Sequence, residues 1–394
     1  MRKYIVRILN KMASVPMHIV FIHVFPKLPA KSLLIFKCVC KSWHTYISSP
    51  EFISIHLHHS ISSQNCLLIL TNTHNSVFSV PLNSQSKPFN LPLFAPSKDG
   101  KLVIVGSSNG LVCLNNVSKE LPICVLNPCS GFYRELPSLH LPRRPRAVNF
   151  GFGYDHVNDD YKVVRLMDYL SGRLVAFSNL CRQVSVFSFK TSTWRVVEWV
   201  APSDCARDGE NGAVLMNRLI HWIVWCFELR KCRIKCFDVC EEKWVDDVPM
   251  FDHGATHIEE NGPGTRDGVL DLGVFDGCLF VSKINEQRSD QINEVIDVWI
   301  MKEYGVKESW VKLLSVSDAR IARSLRLSPV VYSNNWKKVL VRRGCTSGNR
   351  LCWYDLDDES VEIAEFRGVG DCLSTNVCVG SLVRVPGGHR FDKK

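Results

Sequence analysis

The sequence predicts a mainly β protein with a small α-helical module at its N-terminal end, and the β part reads as a propeller of six blades. Three observations predict this. Beyond about residue 66, short runs rich in Val, Ile, Phe and Trp alternate with the pairs Asn109-Gly110, Asn211-Gly212 and Asp276-Gly277. Both residues of such pairs tolerate the positive φ that tight hairpins need. One phrase then recurs six times: a short strand, a polar or Pro residue, a loop, and an aromatic or apolar residue opening a second strand. Before residue 60 the apolar spacing is helical instead.

In the helical part, Pro29 suits a first helical turn. After it Leu33, Phe36, Val39/Cys40 and Trp43 recur at three- or four-residue spacing, which puts them on one face of two short helices within residues 28–47. Lys31, Lys37 and Lys41 project elsewhere. Ser48-Ser49-Pro50 ends that pattern, and Phe52, Ile55 and Leu57 predict one more short helix.

The repeating phrase appears as VFSVPLNSQSKPFNLP, ICVLNPCSGFYRELP, VSVFSFKTSTWRVVEW, IKCFDVCEEKWVDDVP, IDVWIMKEYGVKESWVKL and LCWYDLDDESVEIAEF. Aligning Pro81, Asn127, Ser188, Asp238, Ile300 and Asp355 gives intervals of 46, 61, 50, 62 and 55 residues. Several copies follow a further hairpin, as in SSNGLVCL and VFDGCLFVSKI. Four strands at such intervals make a propeller blade, whose faces are covered only by its neighbours. A late strand, Asn376–Val385, is expected to pair near Cys66–Leu70 and close the ring, which removes exposed edges. Trp194, Trp244 and Trp310 recur at one place in the phrase and predict packing between blades. The competing arrangement is a β-sandwich with coincidental hairpins.

Composition narrows the class. Of 394 residues, 46% are hydrophobic and 22% charged, a globular balance. No apolar run approaches the roughly 20 residues that cross a bilayer, and no signal peptide is expected. Many of the 17 cysteines sit inside apolar runs, which predicts reduced, buried thiols in a cytoplasmic or nuclear protein. Most of the net charge of +9 falls in residues 1–60, where eight basic residues face the single acid Glu51. A basic head points to an acidic protein partner; no Arg-rich helix or stacking platform suggests nucleic acid.

Residues Leu28-Pro29-Ala30-Lys31-Ser32-Leu33-Leu34-Ile35-Phe36-Lys37-Cys38-Val39-Cys40-Lys41-Ser42-Trp43, followed by Ile47-Ser48-Ser49-Pro50-Glu51-Phe52, resemble the F-box of plant F-box proteins. GSSNGLVCL, LNPCSGFYRELP, GFGYDHVNDDYKVVR, the His221-Trp222 pair and DVWIMKEYGVKESWVKL resemble the F-box-associated, kelch-type domain of the same family. The resemblance implies a three-helix F-box at 14–60 and a β-propeller-like domain at 61–390, with 1–13 unassigned. It implies that the F-box binds the Skp adaptor of a Skp–cullin–F-box ubiquitin ligase, and that the β domain selects the protein to be ubiquitinated. The adaptor contacts are then expected among Pro29, Leu33, Leu34, Phe36, Val39, Cys40 and Trp43. A head of about 40 residues cannot hide all its apolar positions itself. One departure stands out: in Pro16-Met17-His18-Ile19-Val20-Phe21-Ile22-His23-Val24-Phe25-Pro26 the family's usual acids are absent and two histidines sit near their places.

Other signals carry less. Gly106-Ser107-Ser108-Asn109-Gly110 fits a hydrolase elbow, but lies between strand-like runs and reads as a hairpin. Cys226, Cys232, Cys236 and Cys240 lack zinc-knuckle spacing. His253/His257 and His56/His58/His59 are weak metal candidates. Asp155, Asp159 and Asp160 read as a turn. Gly151-Phe152-Gly153 lacks the third glycine of a dinucleotide site. Target contacts are expected in long loops, at 138–148, 168–181, 200–210 and 251–267, with Arg143, Arg144 and Arg146 the foremost candidates. The expected role is a non-catalytic substrate receptor, with no cofactor, metal, nucleic acid or membrane. The alternatives are a propeller interaction protein with a degenerate F-box, or a propeller glycosidase.

Overall fold

The structure is a computed structural model describing residues 17–63, 66–72, 74, 76–81, 89–91, 102–116, 123–137, 147–170, 180–200, 204–206, 213–226, 228–229, 231–251, 269–286, 294–316, 326–333, 335–345, 348–366, 368–370 and 372–390. Four short helices come first: α1 (Met17–Ile19), α2 (Ala30–Phe36), α3 (Lys41–Ser48) and α4 (Pro50–Ser62). That is one more than the resemblance implies. A π turn, Val20–Val24, and a 3-10 turn, Phe25–Lys27, link α1 to α2. Ser49 explains the break between α3 and α4. Its hydroxyl accepts the Phe52 N–H and Pro50 takes the first helical position, so a new helix starts there.

The remaining described residues form six antiparallel sheets, the blades of a propeller. Blade 1 runs Cys372–Val379, Cys66–Asn72, Val77–Pro81, Phe89–Leu91 from the axis outward. Blade 2 runs Leu102–Ser108, Leu111–Asn116, Cys124–Asn127, Phe132–Glu135, with His389–Arg390 added at its rim. Blade 3 comprises Ala147–Asp155, Asp160–Leu170, Leu180–Ser188 and Thr193–Val200. In blade 4 the short strands Asp204–Ala206 and Val214–Met216 share one edge of Leu219–Cys226, followed by Lys231–Asp238 and Lys243–Val248. Blade 5 comprises Val269–Phe275, Cys278–Glu286, Glu294–Met301 and Trp310–Val316. Blade 6 comprises Arg326–Tyr332, Lys338–Cys345, Gly348–Asp355 and Val361–Ile363.

Strand periodicity builds the ring. In Cys66–Asn72, Leu67 and Ile69 pack against Leu102, Ile104 and Leu114 of blade 2. Leu68 and Leu70 point the other way, against Leu340 and Leu351 of blade 6. The same division yields six buried clusters between neighbouring blades and a seventh inside the head. The recurrent tryptophans lie in those clusters. Trp194 Nε1 donates to Pro137 O of the preceding blade (2.8 Å), and Trp310 Nε1 to Pro249 O (2.9 Å). The six aligned phrase positions all fall at the end of a blade's third strand. There Asn127, Asp238 and Asp355 accept N–H groups of the following turn at 2.7, 2.8 and 3.0 Å.

The ring closes as the sequence predicts, through pairs such as Leu67↔Cys378 and Ile69↔Asn376. The closing strand differs in extent, ending at Val379 rather than Val385. The cause is Asn127: its Nδ2 donates to Ser381 O (3.2 Å) and Val383 O (2.7 Å), drawing the chain off the ladder. Residues 380–388 thus form a strap across blade 2, held also by Ser381 Oγ donating to Asn109 O and Arg134 Nη1 to Pro386 O. Leu382 of the strap enters the core of the head.

Candidate functional site

The head has one sealed face. Phe25 meets Trp43 edge-on at 4.9 Å and Phe21 stacks on Tyr46 at 4.2 Å. Val20, Ala30, Leu33, Ile47, Phe52 and Leu382 complete this core. Leu33 is 0% exposed and Trp43 2%, so these two of the expected adaptor contacts face the core of the head. The physical reason is phase: an apolar stripe at helical spacing marks the side a helix turns to its own core. Leu34, Phe36 and Val39 pack against that core but remain half-exposed. Pro29 caps α2, its carbonyl accepting the Ser32 and Leu33 N–H groups. Cys40 caps α3 with its Sγ accepting the Trp43 N–H.

Other apolar residues of the head are left exposed outright. Met17, Ile19 and Ile22 lie on α1 and its π turn, Ile35 on α2, and Ile55 and Ile61 on α4. They make up six of the fifteen large hydrophobics found exposed among the described residues, and of the six only Ile55 had entered the helical spacing. For Ile35 the signal available was an apolar residue off the three-and-four spacing of its own helix. The head's charge is one-sided: residues 17–63 carry Lys27, Lys31, Lys37 and Lys41 against Glu51 alone. Partial burial, and then Arg384 of the strap, push the Lys37 ammonium below its ordinary value.

The central channel encloses about 700 Å³ and is lined mainly by the innermost strands of blades 1, 2, 4, 5 and 6. Its polar wall is internally paired. Arg342 Nη2 donates to Asp271 Oδ2 (3.2 Å) and to Ser328 Oγ (3.1 Å), and Ser328 Oγ also bonds Asp271. Ser107 Oγ donates to Asn376 Oδ1 (2.7 Å). The other lining carboxylate, Asp276, lies five residues along the same strand direction. Asp271 stands about 13 Å from the strand's end at Phe275, at roughly 3.3 Å per residue, and Asp276 lies in the turn beyond. Glycosidase carboxylates lie about 5–10 Å apart.

Several sequence signals resolve into structure. Asn109 (φ 51°) and Gly110 (φ 83°) turn a hairpin, as do Asp276 (φ 48°) and Gly277 (φ 76°). A Cβ on Gly151 would sit 2.5 Å from Ile220 of blade 4, so the glycine permits close approach of two blades. Asp155 accepts the Val157 and Asn158 N–H groups and pairs with buried Lys162 at 2.6 Å, which also meets Glu242 of blade 4. Burial alone would raise the Asp155 carboxyl, but these bonds hold it well below the usual carboxylate range. Cys226, Cys232, Cys236 and Cys240 are free thiols, the first three buried. His56 Nε2 bonds Leu28 O, tying α4 to the segment before α2. Arg143, Arg144, Arg146, His253, His257 and Asn211-Gly212 lie outside the described residues, as do most of the long loops expected to meet a target.

His221, quoted above only as part of a resemblance, proves to link two blades. Its Nδ1–H donates to Val214 O (3.2 Å), which leaves Nε2 to accept the Tyr304 hydroxyl of blade 5 (2.7 Å). Burial pushes its imidazole down to about 4.

Comparison with known proteins agrees with this architecture. Residues 20–55 match the F-box domain, and residues 66–383 match the F-box associated beta propeller domain. F-box protein CPR1 of Arabidopsis thaliana is 31% identical, over 94% of this chain and 89% of its own. F-box protein At4g22390 of the same plant is 27% identical, over 91% of this chain and 88% of its own. With a helical head that leaves apolar surface open, a six-bladed ring behind it and these matches over nearly its whole length, the chain belongs to the F-box proteins that carry an F-box-associated β-propeller domain.

Proposed function

We propose that this protein is the substrate-recognition subunit of a Skp–cullin–F-box ubiquitin ligase, binding the Skp adaptor through its head and a target protein through its propeller. The observation that carries the reading is the uncovered apolar surface of the head, beside a propeller whose blades cover one another. Ile35 and the half-exposed Leu34, Phe36 and Val39 form the adaptor contact, with Met17, Ile19 and Ile22 adjoining it. Pro29 and Cys40 fix the turns that present this surface, while Leu33 and Trp43 support it from behind. The lysines favour an acidic adaptor surface and speed encounter.

The contribution to catalysis is proximity: the receptor raises the target's effective concentration beside the transfer machinery and supplies no reacting group. The internal pairing of Asp271 supports this non-catalytic reading. The fifteen cysteines whose side chains are described are all free thiols, which supports a place in the reducing cytosol or nucleus.

Co-purification of the full-length chain with a Skp adaptor and a cullin tests the proposal. A one-to-one complex with the adaptor is expected. Ile35→Asp should weaken it about tenfold or more, while folding stability stays within about 0.5 kcal/mol because the residue is exposed. A folded protein that captures no adaptor would reduce the chain to a propeller interaction protein with no ligase role.

A further inference from the structure

We infer that the mouth of the central channel, on the face that carries the head, is a recognition site for a cationic side chain, arginine or lysine, of the target polypeptide. This rests on the target-receptor reading above and places one contact of it.

The hairpins joining first and second strands emerge on one face of a propeller. In blade 2 that hairpin is Asn109-Gly110, which Ser381 of the strap holds just where Leu382 enters the head. Its counterparts are Asp276-Gly277 in blade 5 and the Ser333–Lys338 turn in blade 6. Between these two hairpins three rings stand in series. Phe275 is buried, Tyr332 lies 4.6 Å from it, and Trp336 lies 4.9 Å from Tyr332 and is 57% exposed. All three line the channel. Trp336 takes φ 60°, a left-handed conformation that bulky side chains seldom adopt. The turn enforces it: Trp336 N–H donates to Ser333 O (2.9 Å), Ser333 N–H to Lys338 O (2.8 Å), and Lys337 N–H to Asn335 Oδ1 (3.3 Å). Strain held in this way collects at binding sites. Here it presents an indole face to solvent on a rigid support.

Charge decides what that face would hold. Three charged side chains line the channel. Asp271 and Arg342 neutralise each other, which leaves Asp276, exposed and with no cation paired to it among the described residues. Burial, and then the charge of Asp276, raise the nearby Tyr332 hydroxyl above its ordinary value. The lysines beside Trp336 are already engaged, Lys337 with Asp357 (3.0 Å) and Lys338 with Glu362 (2.9 Å). Among the described residues the mouth is therefore locally negative, on a chain of net charge +9. An aromatic face beside an unpaired carboxylate suits a cation, through cation–π attraction and a charge-assisted hydrogen bond. An acidic segment would be repelled, and a purely apolar one would leave Asp276 without a partner.

A displayed library of random nonapeptides, selected on the free full-length protein and then measured singly by fluorescence anisotropy, tests this site. The expected outcome is a consensus arginine or lysine. Trp336→Ala should weaken the selected peptides about tenfold, Asp276→Asn about fivefold with loss of salt dependence, and Trp336→Phe less than threefold. Trp336 is exposed, so thermal melting should show the variants folded. A consensus without a cation, no selected peptide, or full binding by Trp336→Ala overturns the inference. Because no adaptor is present in the assay, such a failure leaves the adaptor reading standing.

Discussion

Strand Cys66–Asn72 and helix α2 dispose of the same kind of side chain in opposite ways. The strand sends Leu67 and Ile69 to one neighbouring blade and Leu68 and Leu70 to the other, so both faces are covered. The helix buries Ala30 and Leu33 on its inner side and leaves Ile35 42% exposed on the other. The difference is one of supply. A closed ring gives every blade two partners from the same chain. The head has support on one side only, from its own helices, the strap residue Leu382 and Cys129. Among the described residues nothing covers its outer side, which is the surface assigned above to the adaptor.

The largest test of this contrast is Trp43→Ala. Removing that buried indole should cost the head about 3–5 kcal/mol while the ring keeps its own cooperative transition. Amide exchange read by region would show opening in residues 17–63 without matching loss at the strands; equal loss in both would mean that they are one unit. Acid should act on the ring instead. Between pH 6.5 and about 4 the unfolded chain protonates His221 while the folded imidazole stays neutral, so stability falls with pH across that window. The loss should approach about 3 kcal/mol by pH 4. Urea melts at several pH values should show it in the native protein and not in His221→Gln. The smallest effect concerns the junction. Asn127→Ala removes the amide that holds Ser381 and Val383, and should cost about 2 kcal/mol. Faster proteolysis of the strap should reveal it, with blades 3 to 6 unaffected.

How much was legible in the sequence follows the same division. The six phrase copies were visible because each blade repeats one local solution: a third strand ending on a residue such as Asn127, Asp238 or Asp355 that caps the turn, then a tryptophan such as Trp194 or Trp310 that reaches the previous blade. Ring closure was legible because a late apolar strand had no other partner. The strap was not, because Asn127 acts on it across 254 residues of sequence. In the head, periodicity located the helices and the face that each turns inward. Leu33 and Trp43 were legible as apolar, yet their regular spacing marked the inner face, and Ile35 escaped notice for lacking it. The channel mouth left no sequence signature, since Asp276, Tyr332 and Trp336 come together only when blades 5 and 6 stand side by side.

Among the described residues the outer face of the head is unfinished and the ring is not. Hydrogen–deuterium exchange of the full-length protein, with and without a saturating Skp adaptor, measures it most directly. Slowed exchange should be confined to residues 17–63 and centred on α2, with the blades unchanged. Slowing in the blades, or none in the head while the adaptor is bound, would contradict it.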